Sequence, residues 1–305
     1  CNTSSQQILD SEGDVGWSSA IAITADGLPV ISYFDNTRRD LKLALCADPR
    51  CDGFDLVTLD GQGQAGQHTS LAIGVDGRPV IAYYDKTRGD LKVAYCRDAT
   101  CEAPVLSVVD GAGDVGWYTS MAIGQDGRAI IAYFDTTRRD LKVAHCRDPA
   151  CTRARVSVLD TGGVGLGTAI VVPDDGLPVI AYWDFLNDDL KLARCLDPGC
   201  GSAELKVIDA AGSVGSNAAM ALGADGNPVM SYHDHTNSTL KVAHCLDPAC
   251  ESVRISSPDA QGSVGWHTDI TIGSDGLPIV SYYDETNGDL KLLHCGNPSC
   301  STTLD

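Results

Sequence analysis

Positive charge is scarce in this chain. Its 305 residues include 22 Lys and Arg against 41 Asp and Glu, a formal charge of −19. So acidic a surface repels a phosphate backbone, which excludes DNA and RNA as partners, and it repels an anionic membrane surface too. Long apolar runs are absent: nothing approaches the roughly 18 residues that a spanning helix needs. No signal peptide is visible ahead of Cys1, as expected of a mature or trimmed form. No stretch repeats its apolar positions with a helical period of about 3.6 residues. No G-x-S-x-G elbow, H-E-x-x-H pair or P-loop occurs, which turns the reading away from an enzyme. What is present is a core: 43% of residues are apolar and only 21% charged, so the chain folds.

The chain repeats itself. Units starting at Cys1, Cys51, Cys101, Cys151, Cys200 and Cys250 align almost without gaps, and a tail, 300–305, starts another. Five units are 50 residues long and the fourth has 49. Each reads as four strands. In the third unit these are Thr119 to Gly124, Ala129 to Asp135, Leu141 to Cys146 and Arg155 to Leu159. Asp126-Gly127 is expected to make a two-residue type I′ hairpin turn. Four antiparallel strands in each of six units predict an all-β, six-bladed β-propeller forming one domain over 1–305. Small residues on the first strand (Ala20, Ala22, Ser70, Ala72) suit a crowded innermost position. The last unit stops after its third strand. The segment Gln6 to Asp10 is therefore expected to close the ring by pairing with the last blade.

Twelve of the 13 cysteines form pairs five residues apart: Cys46 and Cys51, Cys96 and Cys101, Cys146 and Cys151, Cys195 and Cys200, Cys245 and Cys250, Cys295 and Cys300. Such a corner suits a disulfide, and disulfides imply an oxidising compartment. Cys1 stands nine residues before Asp10, as Cys51 stands before Asp60. That spacing favours Cys295 bonding Cys1 and leaving Cys300 spare. The alternatives are Cys295 with Cys300, leaving Cys1 free, or Cys1 or Cys300 bonding another molecule, and a lipid-anchored Cys1 is a further reading.

Three sets of aspartates recur. Asp35, Asp85 and Asp135 end the second strand, Asp10, Asp60 and Asp110 end the fourth, and Asp40, Asp90 and Asp140 open the third. Clustered carboxylates are candidate Ca²⁺ ligands; the alternative is turn chemistry, with Lys42, Lys92 and Lys142 pairing across the hairpin. Trp17, Trp117 and Trp266 occupy a G-x-V-G-W loop, with Arg38, Arg88 and Arg138 in the turns of the same face. A tryptophan beside Asp and Arg suits a sugar, the ring stacking on the pyranose; the alternative is packing between blades. Tyr33, Tyr83, Tyr133, Tyr182, Tyr232 and Tyr282 never vary, which points to blade packing. His68 and His267 break the symmetry at equivalent positions, with Asp269 close by in sequence, and are candidate metal ligands.

The core Tyr133 to Cys151 resembles Cys-stapled propeller repeats of secreted bacterial proteins, which implies the fold and no particular activity. A weaker resemblance is to six-bladed fucose-binding lectins, which hold sugars between blades with Arg, Glu and Trp; here the recurrent acid is Asp. The sialidase box S-x-D-x-G-x-x-W is absent, so no catalytic residue carries over from that family. The expectation is a secreted, extracellular or cell-surface module that binds glycan or another extracellular polymer at several sites, with no cofactor beyond candidate Ca²⁺. The alternatives are a structural protein that self-associates through Cys1 or Cys300, and a sialidase- or lyase-like enzyme.

Overall fold

The computed structural model describes residues 6–301, and among them every regular element is a β-strand. The second repeat shows the plan. Its strands Ala65–Ile73, Pro79–Asp85, Asp90–Tyr95 and Val105–Asp110 are joined in order into one antiparallel sheet. The two middle strands are buried throughout because both faces are covered, with Val80, Ile81, Tyr83, Leu91 and Val93 in the core. The fourth strand alternates, with one face open to water. The turn after the first strand differs from the expected type I′. In the third repeat Gly127 N–H donates to Gly124 O at 2.9 Å and Gly124 N–H to Arg128 O at 2.8 Å, and only Gly127 of the turn has positive φ. This is a three-residue loop ending in a left-handed glycine, because Asp126 stays in the ordinary region.

The six repeats give six sheets, and the fold class is a six-bladed β-propeller. By contact the chain forms two compact units. One is Cys1–Ile131 with Asp135–Thr137 and Ala144–Val156; the other is Ala132–Phe134, Arg138–Val143 and Ser157–Asp305. Within each unit, strand one of a sheet packs on the face of the sheet before it. In the first unit this buries Leu41 and Leu43 against Leu71 and Tyr83; in the second it buries Leu240 and Val242 against Ile270 and Tyr282.

Of the expected closure the structure shows one half. Asp10 sits against the first sheet, accepting from Tyr33 Oη at 2.7 Å and from Lys42 Nζ. That is how Asp60, at the end of the first sheet, engages Tyr83 and Lys92 of the second. The other half is missing: Gln6 to Asp10 is not a strand, and the last sheet has three strands among the described residues.

All six corner disulfides form, with Cα separations of 4.7–4.9 Å. Cys295 bonds Cys300, which corrects the expectation that Cys1 would take it; Cys1 lies outside the described residues. The reason is local. The second cysteine of each corner adopts positive φ, so the chain folds back within five residues and its own partner is nearest. Each bridge closes a short loop, so its entropic contribution is modest. Replacing Cys96 and Cys101 together by serine is expected to lower the unfolding free energy by about 2 kcal/mol, read by chemical denaturation.

Candidate functional site

The strand-two aspartates are closed off by their own turns. Asp35, Asp85 and Asp135 are fully buried. Asp35 Oδ1 accepts the backbone N–H groups of Thr37 and Arg38 at 3.0 and 2.9 Å, and its other oxygen accepts Arg38 Nη1 at 3.3 Å. Arg88 engages Asp85 in the same way at 3.0 Å. In the last three repeats Asn187, Asn237 and Asn287 donate to Asp184, Asp234 and Asp284, each at 2.9 Å. Arg and Asn thus exchange freely because both supply the one donor that the turn needs. Arg38, Arg88 and Arg138 keep exposed positions. His68 belongs to the first unit, whereas His267 and Asp269 belong to the second. Among the described residues no group of three or more His, Cys, Asp or Glu is placed to hold a metal ion.

The strand-four aspartates are pinned between sheets, not across the hairpin. Asp209 accepts from Tyr232 Oη at 2.7 Å and from Lys241 Nζ at 2.5 Å, both on the following sheet. The same trio recurs at Asp60, Asp160 and Asp259. Each lysine also lies 5.5–5.9 Å from the ring centre of the tyrosine beside it on its own sheet. The invariant tyrosines therefore serve the seams.

The residues that vary between repeats converge at the seams as well. Strand one carries a bulge after the Trp17 position, where its register against strand two slips. The bulge residue is left-handed in every repeat: Ser18, His68, Tyr118, Gly167, Asn217 and His267 have φ of 50–60°. At Ser18, His68 and Asn217 a threonine of the next sheet holds the carbonyl: Thr69 bonds Ser18 O, Thr119 bonds His68 O, and Thr268 bonds Asn217 O at 2.8 Å. The backbone is thereby fixed while the side chain is free to change.

In the first unit this brings four rings together. Trp117, half-buried on the third sheet, lies 5.2 Å from His68 and 5.4 Å from Tyr84 of the second, and Tyr118 lies 4.8 Å from His68. Trp117 Nε1 donates to Asp114 Oδ1 at 3.2 Å, and Tyr84 Oη donates to the same oxygen at 2.6 Å. Burial pushes the His68 pKa down to about 4, so its ring is neutral at physiological pH. Burial, and then the Asp114 carboxylate, push Tyr84 up to about 12. In the second unit Trp266 stacks on the buried His233 at 4.2 Å and meets the exposed His235 edge-on at 4.7 Å. His233 Nδ1 donates to Val264 O at 2.9 Å, and burial lowers its pKa. Trp266 Nε1 donates to Ser263 Oγ, which in turn donates to Glu285.

Trp17 is tethered likewise. Its Nε1 donates to Asp14 Oδ1 at 2.8 Å, and Asn36 holds the other oxygen at 2.6 Å. These two donors lower the Asp14 pKa. Sequence reasoning found the tryptophans but missed their anchors. The signal was present: Asp14, Asp114 and Ser263 each stand three residues before a tryptophan.

No protein-family model matches the chain, and no curated protein does either. Solved structures with the same fold do exist. An ulvan lyase, a polysaccharide lyase bound to -[GlcA(1-4)Rha3S]-, is similar over 95% of this chain and 84% of its own, with a TM-score of 0.66 and 10% identity. A leech intramolecular trans-sialidase complexed with 2,7-anhydro-Neu5Ac matches 93% of this chain and 68% of its own, with a TM-score of 0.60 and 10% identity. The polysaccharide lyase Uly1 matches 97% and 84%, with a TM-score of 0.55 and 11% identity. The likeness is one of fold.

Proposed function

We propose that this protein is a secreted, non-catalytic propeller that binds carbohydrate at its seams, using Trp117 with His68 and Tyr84 at one and Trp266 with His233 and His235 at another. The observation that carries this reading is the tethering of Trp17, Trp117 and Trp266 at Nε1 by the side chain three residues earlier. An indole so held is an aromatic platform with little freedom left to lose on binding. Neighbouring hydroxyl, imidazole and carboxylate groups can read sugar hydroxyls. The carbohydrate-active proteins sharing the fold support the ligand class, as fold-level analogy. The six disulfides support an extracellular setting. Repeated weak sites on one scaffold would gain by avidity on a polymer.

The test is a glycan array followed by calorimetry on the oxidised protein. Trp117→Ala is expected to weaken binding about tenfold, the loss of one stacked aromatic of roughly 1.4 kcal/mol. EDTA is expected to leave binding unchanged, because turn N–H groups already occupy the strand-two aspartates. Unaltered affinity in both Trp117→Ala and Trp266→Ala would refute these sites, and loss in EDTA would move the site to the aspartates.

A further inference from the structure

An acid accompanies every tryptophan of the repeated loop. Two positions of each repeat matter here: the anchor three residues before the ring, and the residue after the strand-two aspartate. In the repeats with tryptophan they read Asp14 and Asn36, Asp114 and Thr136, Ser263 and Glu285. In the repeats without it they read Gln64 and Lys86, Gly163 and Phe185, Ser213 and His235. Each pair of the first set holds one carboxylate, and no pair of the second set holds any. Tethering alone does not require the acid. Ser263 holds Trp266 Nε1 with a hydroxyl, at 3.2 Å, and the acid then enters from the other position.

Two of these carboxylates keep an oxygen unused. Trp117 Nε1 and Tyr84 Oη both donate to Asp114 Oδ1, and among the described residues no donor reaches Oδ2. Ser263 Oγ donates to Glu285 Oε2 at 2.8 Å, and among the described residues no donor reaches Oε1. Asp14 differs, because Asn36 takes its second oxygen. Arg88, in the turn of the second sheet, is committed to Asp85 at 3.0 Å. His68 is neutral, so Asp114 supplies the charge of its ring cluster. The rings themselves are open to a ligand: Tyr118 is 40% exposed, Trp117 and Trp266 are half-buried, and His235 is exposed.

We propose that the Trp117 and Trp266 seams select amine-bearing sugars, such as the glucosamine units of a polymer, over neutral and acidic ones. This rests on the carbohydrate reading above and narrows its ligand class. A sugar ammonium donates to the unused carboxylate oxygen as a charge-assisted hydrogen bond. The face of the indole beneath the sugar attracts the same cation. N-acetylation removes the charge and leaves stacking alone. A uronate or sulfate brings a second negative charge to the unused oxygen and is repelled. The whole chain acts in the same direction, since a charge of −19 concentrates a cationic polymer and disperses an anionic one.

The experiment is calorimetry on the oxidised protein at about pH 6, where an amine is charged and an ordinary carboxyl is ionised. Tetramers of glucosamine, N-acetylglucosamine and galacturonic acid are compared. The glucosamine tetramer is expected to bind about tenfold more tightly than the N-acetylated one, and the galacturonate more weakly than either. Asp114→Asn with Glu285→Gln keeps an oxygen for each protein donor and is expected to bring the first two within about twofold. Equal affinity of the wild type for those two overturns the proposal and leaves the carbohydrate reading standing. So does tightest binding of the galacturonate. A preference that survives Asp114→Asn with Glu285→Gln also overturns it. So does one that survives Trp117→Ala with Trp266→Ala, since bulk charge would then suffice. A glycan array on which no sugar binds overturns both readings.

Discussion

Lys241→Met is expected to remove about 3–5 kcal/mol of stability, although it changes one side chain of nearly the same length. The reason is what it leaves behind. Asp209 and Lys241 are both buried, 2.5 Å apart, at a seam of the second unit. Without the ammonium, Asp209 keeps only Tyr232 Oη and the Ala211 N–H, at 2.7 and 3.0 Å. A buried carboxylate with two neutral donors has lost water and has no charge to replace it. The double variant Lys241→Met with Asp209→Asn is expected to recover much of the loss, because the charge left bare at Asp209 is gone. Chemical denaturation of the two singles and the double measures the coupling. A double no more stable than Lys241→Met alone would contradict this account.

Acid narrows the difference. Burial raises the Asp209 pKa, but bonds from Lys241 and Tyr232 outweigh it, and the net shift is downward. Asp259 behaves alike with Lys291, and Asp10 is pulled down to about 2 with Lys42. A folded pKa below the unfolded one stabilises the protein above the unfolded value of about 4, and that contribution fades as pH falls toward 2. In Lys241→Met only the Tyr232 and Ala211 bonds oppose the burial effect, so Asp209 takes up a proton more readily. The gap between wild type and variant therefore narrows as the solution is acidified.

The reason such trios escape a reading of the sequence is their span. Asp209 and Lys241 are 32 residues apart on different sheets, whereas the same lysine faces an aspartate of its own hairpin at a spacing visible within one unit. The hairpin pairing is real but longer, 3.6 Å for Lys241 and Asp234. Strand positions, corner cysteines and the seam role of the tyrosines were legible because every unit repeats them. The left-handed bulge was not, since its occupants (Ser, His, Tyr, Gly, Asn, His) share no chemistry. At Ser18, His68 and Asn217 its carbonyl is held by a threonine of the next sheet, a contact that one unit does not reveal. The aromatic clusters were half legible: variation marks the Trp17, Ser18 and Phe34 positions, but a single unit does not reveal that the first joins the other two across a seam. The partner of Cys295 was misread because ring closure was assumed to outweigh a corner that closes on itself.

Gly66→Ala is expected to cost about 3–5 kcal/mol, and Gly16→Ala only about 1–2 kcal/mol in dilute protein. Both glycines have positive φ, 110° and 92°, so both substitutions pay the same backbone strain of roughly 1–2 kcal/mol. What differs is the neighbour. The new methyl at Gly66 would sit 2.8 Å from Leu41 Cα and 3.1 Å from Leu41 N, backbone atoms that move only if two sheets part. At Gly16 it would point into open space. The difference between the two, read by denaturation at low concentration, isolates the close approach of sheets from the strain of the turn. Equal losses would mean that the turn alone requires glycine.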